Sequence, residues 1–156
     1  MIKLMRLDER FIHGQVAFAW TNSLGADCIL IANDEVANNK LRQTSLKIAA
    51  PVGIKFIAKT IKETKEILNG EKIKKYKVFL LVDNTKDALE LVKSCKDIKQ
   101  LNLGNMKMKE GRRAITSSIC ISQEDIDNIK QIELLDVEVE CRAIPTDKKL
   151  KVSEML

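Results

Sequence analysis

The chain has 156 residues, 45% hydrophobic and 31% charged, which fits one folded domain with a buried core and a well-solvated surface. The net charge of +5 suits an anionic partner, but aromatic residues are few and the lysines are spread along helical segments, so we expect no nucleic-acid binding. No apolar run approaches the roughly 18 to 20 residues of a membrane span, and the N-terminus lacks a secretory signal, which predicts a cytoplasmic protein.

Short apolar runs alternate with segments of helical period, a pattern that predicts repeated strand-helix units and a mainly parallel sheet. Strands are predicted at residues 2–7, 27–32, 54–58, 77–82, 100–103, 114–121 and 137–143. Helices are predicted at about 15–24, 35–50, 61–68, 85–95 and 122–135. Because no linker or repeat interrupts the pattern, we expect one three-layer α/β/α domain over residues 1–156 with an open, doubly wound sheet.

Four cysteines, at positions 28, 95, 120 and 141, lie in apolar runs without any short paired spacing. This spacing favours neither a zinc site nor a redox motif, and buried packing is the expected role. With one histidine and scattered carboxylates, the sequence offers no clear metal-ligand set, so we predict no metal.

Reactive side chains concentrate in the loop after the first strand, where ligands bind in open α/β sheets. His13, the only histidine, lies there at the start of a predicted helix. Free backbone N–H groups and the helix dipole favour a phosphate at such a position. The other candidate residues of the segment are Arg6, Asp8, Arg10, Phe11, Ile12, Gly14 and Gln15.

An imidazole nitrogen can attack phosphorus and form a phosphohistidine that passes the group onward, a reaction for which one histidine suffices. Arg6 and Arg10 are predicted to clamp the phosphoryl oxygens, and Asp8 to hold the loop or an arginine by pairing. The alternative interpretation is that the arginines and Gln15 are ordinary solvated residues of a polar loop. Trp20 is expected in the core.

The segment from Arg6 to Val16, RLDERFIHGQV, strongly resembles the opening of the IIB component of the mannose/fructose/sorbose family of the phosphoenolpyruvate-dependent sugar phosphotransferase system. Further blocks in family order extend the resemblance over nearly the whole chain: NDEVAN at 33–38, KIAAP at 47–51, NLGNM at 102–106 and PTD at 145–147.

The resemblance implies a strand order of 3-2-4-1-5-6, numbered along the chain, with a further edge strand. It implies that His13 accepts phosphate on Nδ1 from a phosphorylated IIA protein and passes it to a sugar arriving through the membrane components IIC and IID. Arg6 and Arg10 would stabilise the transferring group, and Asp8 with the 11–14 backbone would shape the pocket. Gly104, Asn105 and Met106 would approach from a neighbouring strand end. No cofactor is implied, and the protein would associate peripherally with the permease.

Three positions depart from the usual family pattern, namely Glu9, Phe11 and Asn105, and none removes a phosphoryl-handling group. The identity of the sugar stays open, as does the oligomeric state, a homodimer included. The start of the chain just before the motif favours a stand-alone IIB protein, and a fused IIA-IIB protein stays the open alternative. The competing hypothesis is a transfer-inactive regulatory domain of the same fold, with a passive anion or nucleotide pocket in place of the reactive histidine.

Overall fold

Nine strands and six α-helices make up the computed structural model, which describes residues 1–156. The strands are β1 (Ile2–Asp8), β2 (Cys28–Ala32), β3 (Lys55–Lys59), β4 (Val78–Val82), β5 (Gln100–Asn105), β6 (Arg113–Ala114), β7 (Cys120–Ile121), β8 (Glu138–Cys141) and β9 (Leu150–Lys151). The α-helices are α1 (Gly14–Leu24), α2 (Asp34–Ala37), α3 (Lys40–Ala49), α4 (Ile61–Leu68), α5 (Thr85–Ser94) and α6 (Gln123–Leu134). Two short 3-10 helices cover Lys72–Lys75 and Val152–Glu154.

Seven strands form one sheet in the order β3-β2-β4-β1-β5-β8-β9, in which all neighbours are parallel except the edge strand β9. The predicted fold class and the order 3-2-4-1-5-6 with a further edge strand are confirmed. The sixth position in the sheet belongs to β8, which lies within the strand predicted at 137–143, because the segment predicted as a strand at 114–121 does not join this sheet. The carboxyl ends of β1, β5 and β8 therefore lie side by side.

The predicted strand at 114–121 is wrong. Its two ends form the antiparallel ribbon β6–β7, outside the main sheet, and a turn lies between them. The Thr116 hydroxyl accepts hydrogen bonds from the backbone N–H groups of Ser118 and Ile119, at 3.3 and 3.1 Å. Hydroxyl side chains stabilise turns in this way, so local turn chemistry outweighs the apolar run.

The single helix predicted at 35–50 is also wrong, because it divides into α2 and α3 around Asn38 and Asn39. The backbone of Asn39 is extended, and its side chain accepts a hydrogen bond from the N–H of Arg42 at 3.0 Å, which starts a new helix. The amide of Gln43 donates to the carbonyls of Val36 and Ala37, so α2 ends with those acceptors paired. Asparagine favours such caps over helix interiors.

The core has two parts, one on each side of the sheet, which gives the three predicted layers. Helices α1, α2 and α3 cover one face, whereas α4, α5 and α6 cover the other. Every residue of β4 is buried, as expected for a central strand enclosed on both faces. All four cysteines are buried and unpaired, which confirms the expected packing role. None of the helices combines the length and apolarity needed to cross a bilayer.

Candidate functional site

The candidate site lies at the carboxyl edge of the sheet, in the loop between β1 and α1. His13 is the residue before the first turn of α1, with extended backbone, and its side chain does not cap that helix. The backbone N–H groups at the start of α1 are therefore left without a side-chain partner and can donate hydrogen bonds to an anion. Positive φ angles at Phe11 (56°) and Gly14 (49°) turn the chain sharply on either side of His13.

Asp8 holds the imidazole of His13 in a fixed orientation. Its Oδ2 lies 2.9 Å from His13 Nε2, and the carboxylate is fully buried while the histidine side chain is 21% exposed. A carboxylate only accepts hydrogen bonds, so we assign the ring proton to Nε2. The lone pair of the neutral ring is then on Nδ1, the nitrogen that the resemblance predicts as phosphoryl acceptor.

Asp8 accepts two further hydrogen bonds. Arg6 Nη2 donates to Oδ2 at 3.1 Å, and the backbone N–H of Arg10 donates to Oδ1 at 2.9 Å. This geometry is consistent with the prediction that Asp8 holds the loop or an arginine, since the carboxylate contacts both. One buried carboxylate thus links the end of β1, the loop and the histidine.

Arg6 belongs to a buried polar row that crosses three strands. In register, Arg6 on β1 pairs with Asn102 on β5, and Asn102 pairs with Glu140 on β8. Arg6 Nη1 donates to Asn102 Oδ1 at 2.6 Å, and Asn102 Nδ2 donates to Glu140 Oε1 at 2.9 Å. Arg142 closes the row by donating from Nε to Glu140 Oε2 at 3.0 Å. With Asp8, two buried carboxylates face two arginines, so charge is balanced where desolvation would otherwise cost most.

Burial lowers the pKa of Arg6, while the nearby Asp8 carboxylate acts in the opposite direction. Only 2% of the Arg6 side chain is exposed, and both of its terminal nitrogens donate to the groups just described or to the carbonyl of Arg142. The structure therefore places Arg6 behind the histidine as a support for Asp8. Direct contact of Arg6 with a phosphoryl group stays a prediction.

Trp20 contacts both the polar row and the smaller part of the core. The guanidinium groups of Arg6 and Arg142 lie over its ring, with centroid distances of 5.2 and 5.1 Å, and its Nε1 donates to the carbonyl of Ala143 at 3.0 Å. The side chain is buried, which confirms the expected core position. Two cation-π contacts on one ring link both arginines of the row to helix α1.

The predicted partner loop at 104–106 divides into three different roles. Gly104 lies directly against the Arg6 guanidinium, and a Cβ atom there would be 2.0 Å from Arg6 Cζ. The carbonyl of Asn105 accepts from the N–H of Glu9 at 3.1 Å, which joins this strand end to the histidine loop. Met106 is buried and pairs with the β6–β7 ribbon through its backbone.

The remaining predicted residues divide between surface and core. Arg10, Gly14 and Gln15 are exposed, and the Arg10 side chain makes neither a hydrogen bond nor an ion pair within the protein. Phe11 and Ile12 are buried and anchor the loop from below, so only their backbone can face a ligand. Arg10 is thus the one predicted arginine that is free to meet an anion beside His13.

Sequence reasoning gave no role to three polar residues, Glu140, Arg142 and Arg112. Arg112 lies 2.9 Å from the Glu9 carboxylate and donates to the carbonyl of Lys107, which fastens the histidine loop to the segment after β5. The sequence did carry a signal for Glu140, because it is a charged residue within a short run that is otherwise typical of a buried strand. No group of three or more histidine, cysteine or carboxylate side chains is arranged to hold a metal ion.

Known proteins match this chain over almost its full length, in sequence and in fold. Residues 2–156 match the family model of the sorbose subfamily IIB component of the phosphotransferase system. The sorbose-specific EIIB component of Lacticaseibacillus casei is 33% identical, over 94% of this chain and 90% of that protein. The mannose-specific EIIAB component of Escherichia coli is 31% identical over the whole of this chain, which spans 48% of that protein.

Solved structures agree with the sequence matches. The IIBSor domain of the Klebsiella pneumoniae sorbose permease superposes with a TM-score of 0.94 at 30% identity, over 99% of this chain and 95% of that one. The N-acetylgalactosamine-specific IIB component 1 of Escherichia coli gives 0.90 at 31% identity, over 97% and 99%. The sheet order and the superposition on the sorbose permease domain show that the fold is that of phosphotransferase-system IIB domains. More narrowly, the chain belongs to the sorbose subfamily of IIB components, which are phosphotransferase components that transfer a phosphoryl group to a sugar.

Proposed function

We propose that His13 is the phosphoryl carrier of this IIB domain, and that Nδ1 is the accepting atom. The observation that carries the proposal is the 2.9 Å contact between the buried Asp8 carboxylate and Nε2, which leaves the opposite ring nitrogen as the nucleophile. The partial exposure of the ring allows a protein partner to reach it. Every group of the site comes from one chain, and the whole of residues 1–156 would act as one domain.

The proposed reaction has two transfers. In the first, the Nδ1 lone pair attacks the phosphorus of a phosphohistidine on a IIA protein, and the bond from phosphorus to the donor nitrogen breaks. In the second, a sugar hydroxyl attacks the same phosphorus, the bond to Nδ1 breaks with its electron pair returning to the ring, and the hydroxyl proton passes to water as the sugar phosphate forms. In the first transfer the nucleophile and the leaving group are both imidazole nitrogens, and in the second the leaving group is one, so neither step is written with a metal or cofactor.

Positive groups beside His13 would stabilise the phosphoryl group, whose three outer oxygens carry negative charge during transfer. The unpaired Arg10 guanidinium and the free amides at the start of α1 supply this charge. Arg6 would act indirectly, by fixing Asp8 and through it the imidazole. Gln15, exposed in the first turn of α1, is a further candidate contact.

The sugar would be a hexose or N-acetylhexosamine of the mannose, fructose or sorbose class, delivered by the membrane components IIC and IID. Relatives specific for sorbose, mannose and N-acetylgalactosamine support this range. The protein would then work on the cytoplasmic side of the permease, as a protein-Nπ-phosphohistidine-sugar phosphotransferase component.

Intact-mass analysis tests the proposal. After incubation with phosphoenolpyruvate, the general phosphotransfer proteins and IIA, the chain should gain about 80 Da in a linkage that is stable in base and labile in acid, as a phosphoramidate is. The variant His13→Ala should gain nothing. Labelling of that variant would contradict the assignment, and reversible anion binding without any adduct would favour a transfer-inactive regulatory domain.

A further inference from the structure

Glu9 joins the histidine loop to the segment after β5 through both its backbone and its side chain. Its N–H donates to the carbonyl of Asn105 at 3.1 Å, and its Oε1 accepts from the N–H of Lys107 at 2.7 Å. Its Oε2 lies 2.9 Å from Arg112 Nη1. Only 11% of the Glu9 side chain and 12% of the Arg112 side chain are exposed, so this ion pair is largely removed from water. The position of residue 9 therefore depends on the segment after β5.

Arg112 connects the same segment to the helices of the larger core. Its Nη1 also donates to the carbonyl of Lys107 at 2.7 Å, and its Nε lies 3.8 Å from Asp125 Oδ2. Asp125 is buried in the first turn of α6, where it accepts from the hydroxyl of Thr85 on α5 at 2.7 Å. A guanidinium can make such contacts together because its donors point in fixed, diverging directions, whereas an ammonium is a point charge. Arg112 thus links Glu9 to a fixed part of the fold.

The residues on either side of Glu9 are those that the proposed transfer uses. Asp8 holds the imidazole of His13 and also accepts from the N–H of Arg10. The Arg10 side chain makes neither a hydrogen bond nor an ion pair within the protein, so its backbone alone decides where the guanidinium can reach. A shift of residue 9 would move both neighbours, and a misplacement of about 1 Å can cost about 100-fold in rate.

We propose that Arg112 is a positioning residue for phosphoryl transfer to His13 and acts through Glu9, an inference that rests on the proposed function. The hydrogen bonds and ion pairs of Arg112 are with Glu9, Lys107 and Asp125, and none is with His13. Its effect on the transfer therefore has to pass through residue 9. If the two side chains act as one unit, the loss of either should have the same effect as the loss of both.

A double-mutant cycle tests the proposal. The variants are Glu9→Gln, Arg112→Gln and the two together, and glutamine at position 9 keeps an oxygen for the Lys107 N–H. The control Glu90→Gln removes an ion pair with Lys65, of 2.7 Å, between α5 and α4. The donor is phosphoramidate, a small molecule that needs no docking, and the limiting rate and the KM are determined separately. Denaturant titration gives the free energy of unfolding of each variant.

The two single variants and the double variant should all lower the limiting rate by a similar factor, at least about tenfold, with KM changed by less than about twofold. A pair that only stabilises the fold would lower the free energy of unfolding and leave the rate of the folded protein unchanged, which would overturn the proposal. A loss in the double variant equal to the product of the single losses would overturn it too, as would a matching loss in the control.

Two further comparisons keep the test decisive. If Arg112→Gln does not fold, Arg112→Lys replaces it in the cycle, and it should show the same loss because an ammonium cannot make the diverging contacts. A loss seen with phosphorylated IIA protein and absent with phosphoramidate would assign Arg112 to the contact with the donor protein and overturn the positioning role. Labelling of His13→Ala at the rate of the unmodified chain would refute His13 as carrier, which is a failure of the proposed function whatever the cycle shows.

Discussion

At the residue scale, the chemistry depends on the Asp8 carboxylate, because it fixes the positions of several groups at once. Asp8 is fully buried, and it accepts from Arg6, from the Arg10 backbone and from His13 Nε2. A buried carboxylate costs several kcal/mol to desolvate, and three donors at 2.9 to 3.1 Å offset that cost. The same three bonds fix the ring, so the histidine does not have to be reoriented when a donor arrives.

The substitution Asp8→Asn should lower the rate of phosphoryl transfer to His13 by at least about 100-fold, since a neutral amide holds the ring tautomer poorly and does not stabilise positive charge on it. Single-turnover phosphorylation, quenched at short times, measures the rate. The control Asp97→Asn changes an exposed aspartate that forms no ion pair and should have no effect. A rate near that of the unmodified chain in Asp8→Asn would show that the contact is not needed.

At the scale of elements, strand β5 supports the site by carrying different residues on its two faces. Leu101 and Leu103 pack into the larger core, while Asn102 and Gly104 face the Arg6 guanidinium. Asn102 supplies a hydrogen-bond acceptor for the guanidinium, and the absence of a side chain at Gly104 leaves room for it. A side chain at position 104 would occupy the place of the guanidinium, so the strand and the polar row depend on each other.

The substitution Gly104→Ala should destabilise the protein by more than about 2 kcal/mol, because overpacking adds to the disturbance of a buried ion pair. Denaturant unfolding followed by circular dichroism measures the change. Gly70→Ala is the matched control, since a Cβ there meets its nearest atoms at 3.4 and 3.5 Å, ordinary contact distances. Equal stability of the two variants would mean that Arg6 can move without cost.

At the scale of the whole molecule, the sequence was informative wherever the signal was local. The alternating apolar runs predicted the parallel sheet, and the reactive residues around His13 predicted its carboxyl edge as the site. The order of the strands in the sheet came from the resemblance to a family. The row from Arg6 through Asn102 to Glu140 could not be predicted, because it depends on the register of strands that are 38 to 96 residues apart. The predictions of a strand at 114–121 and of a single helix at 35–50 were wrong because hydroxyl and amide side chains bind the backbone there.

The packing of the whole molecule also predicts thiol reactivity. Burial raises the pKa of Cys28 to about 11 and that of Cys141 to about 12, and it raises the pKa of Cys95. At pH 8 these groups are protonated as well as enclosed, and thiolate is the reactive form. A disulfide exchange reagent should therefore modify no thiol of the folded chain within minutes and all four after unfolding in guanidinium. Rapid reaction of any thiol in the folded chain would show that the core is open.

The central claim is that Asp8 reserves Nδ1 of His13 for the phosphoryl group. The most direct test is nuclear magnetic resonance of the phosphorylated chain with 15N-labelled histidine, which distinguishes the two ring nitrogens by their shifts and their coupling to phosphorus. We predict one phosphorylated imidazole, with phosphorus on Nδ1 and a proton on Nε2. Phosphorus on Nε2, the nitrogen that the structure places 2.9 Å from the Asp8 carboxylate, would contradict the account.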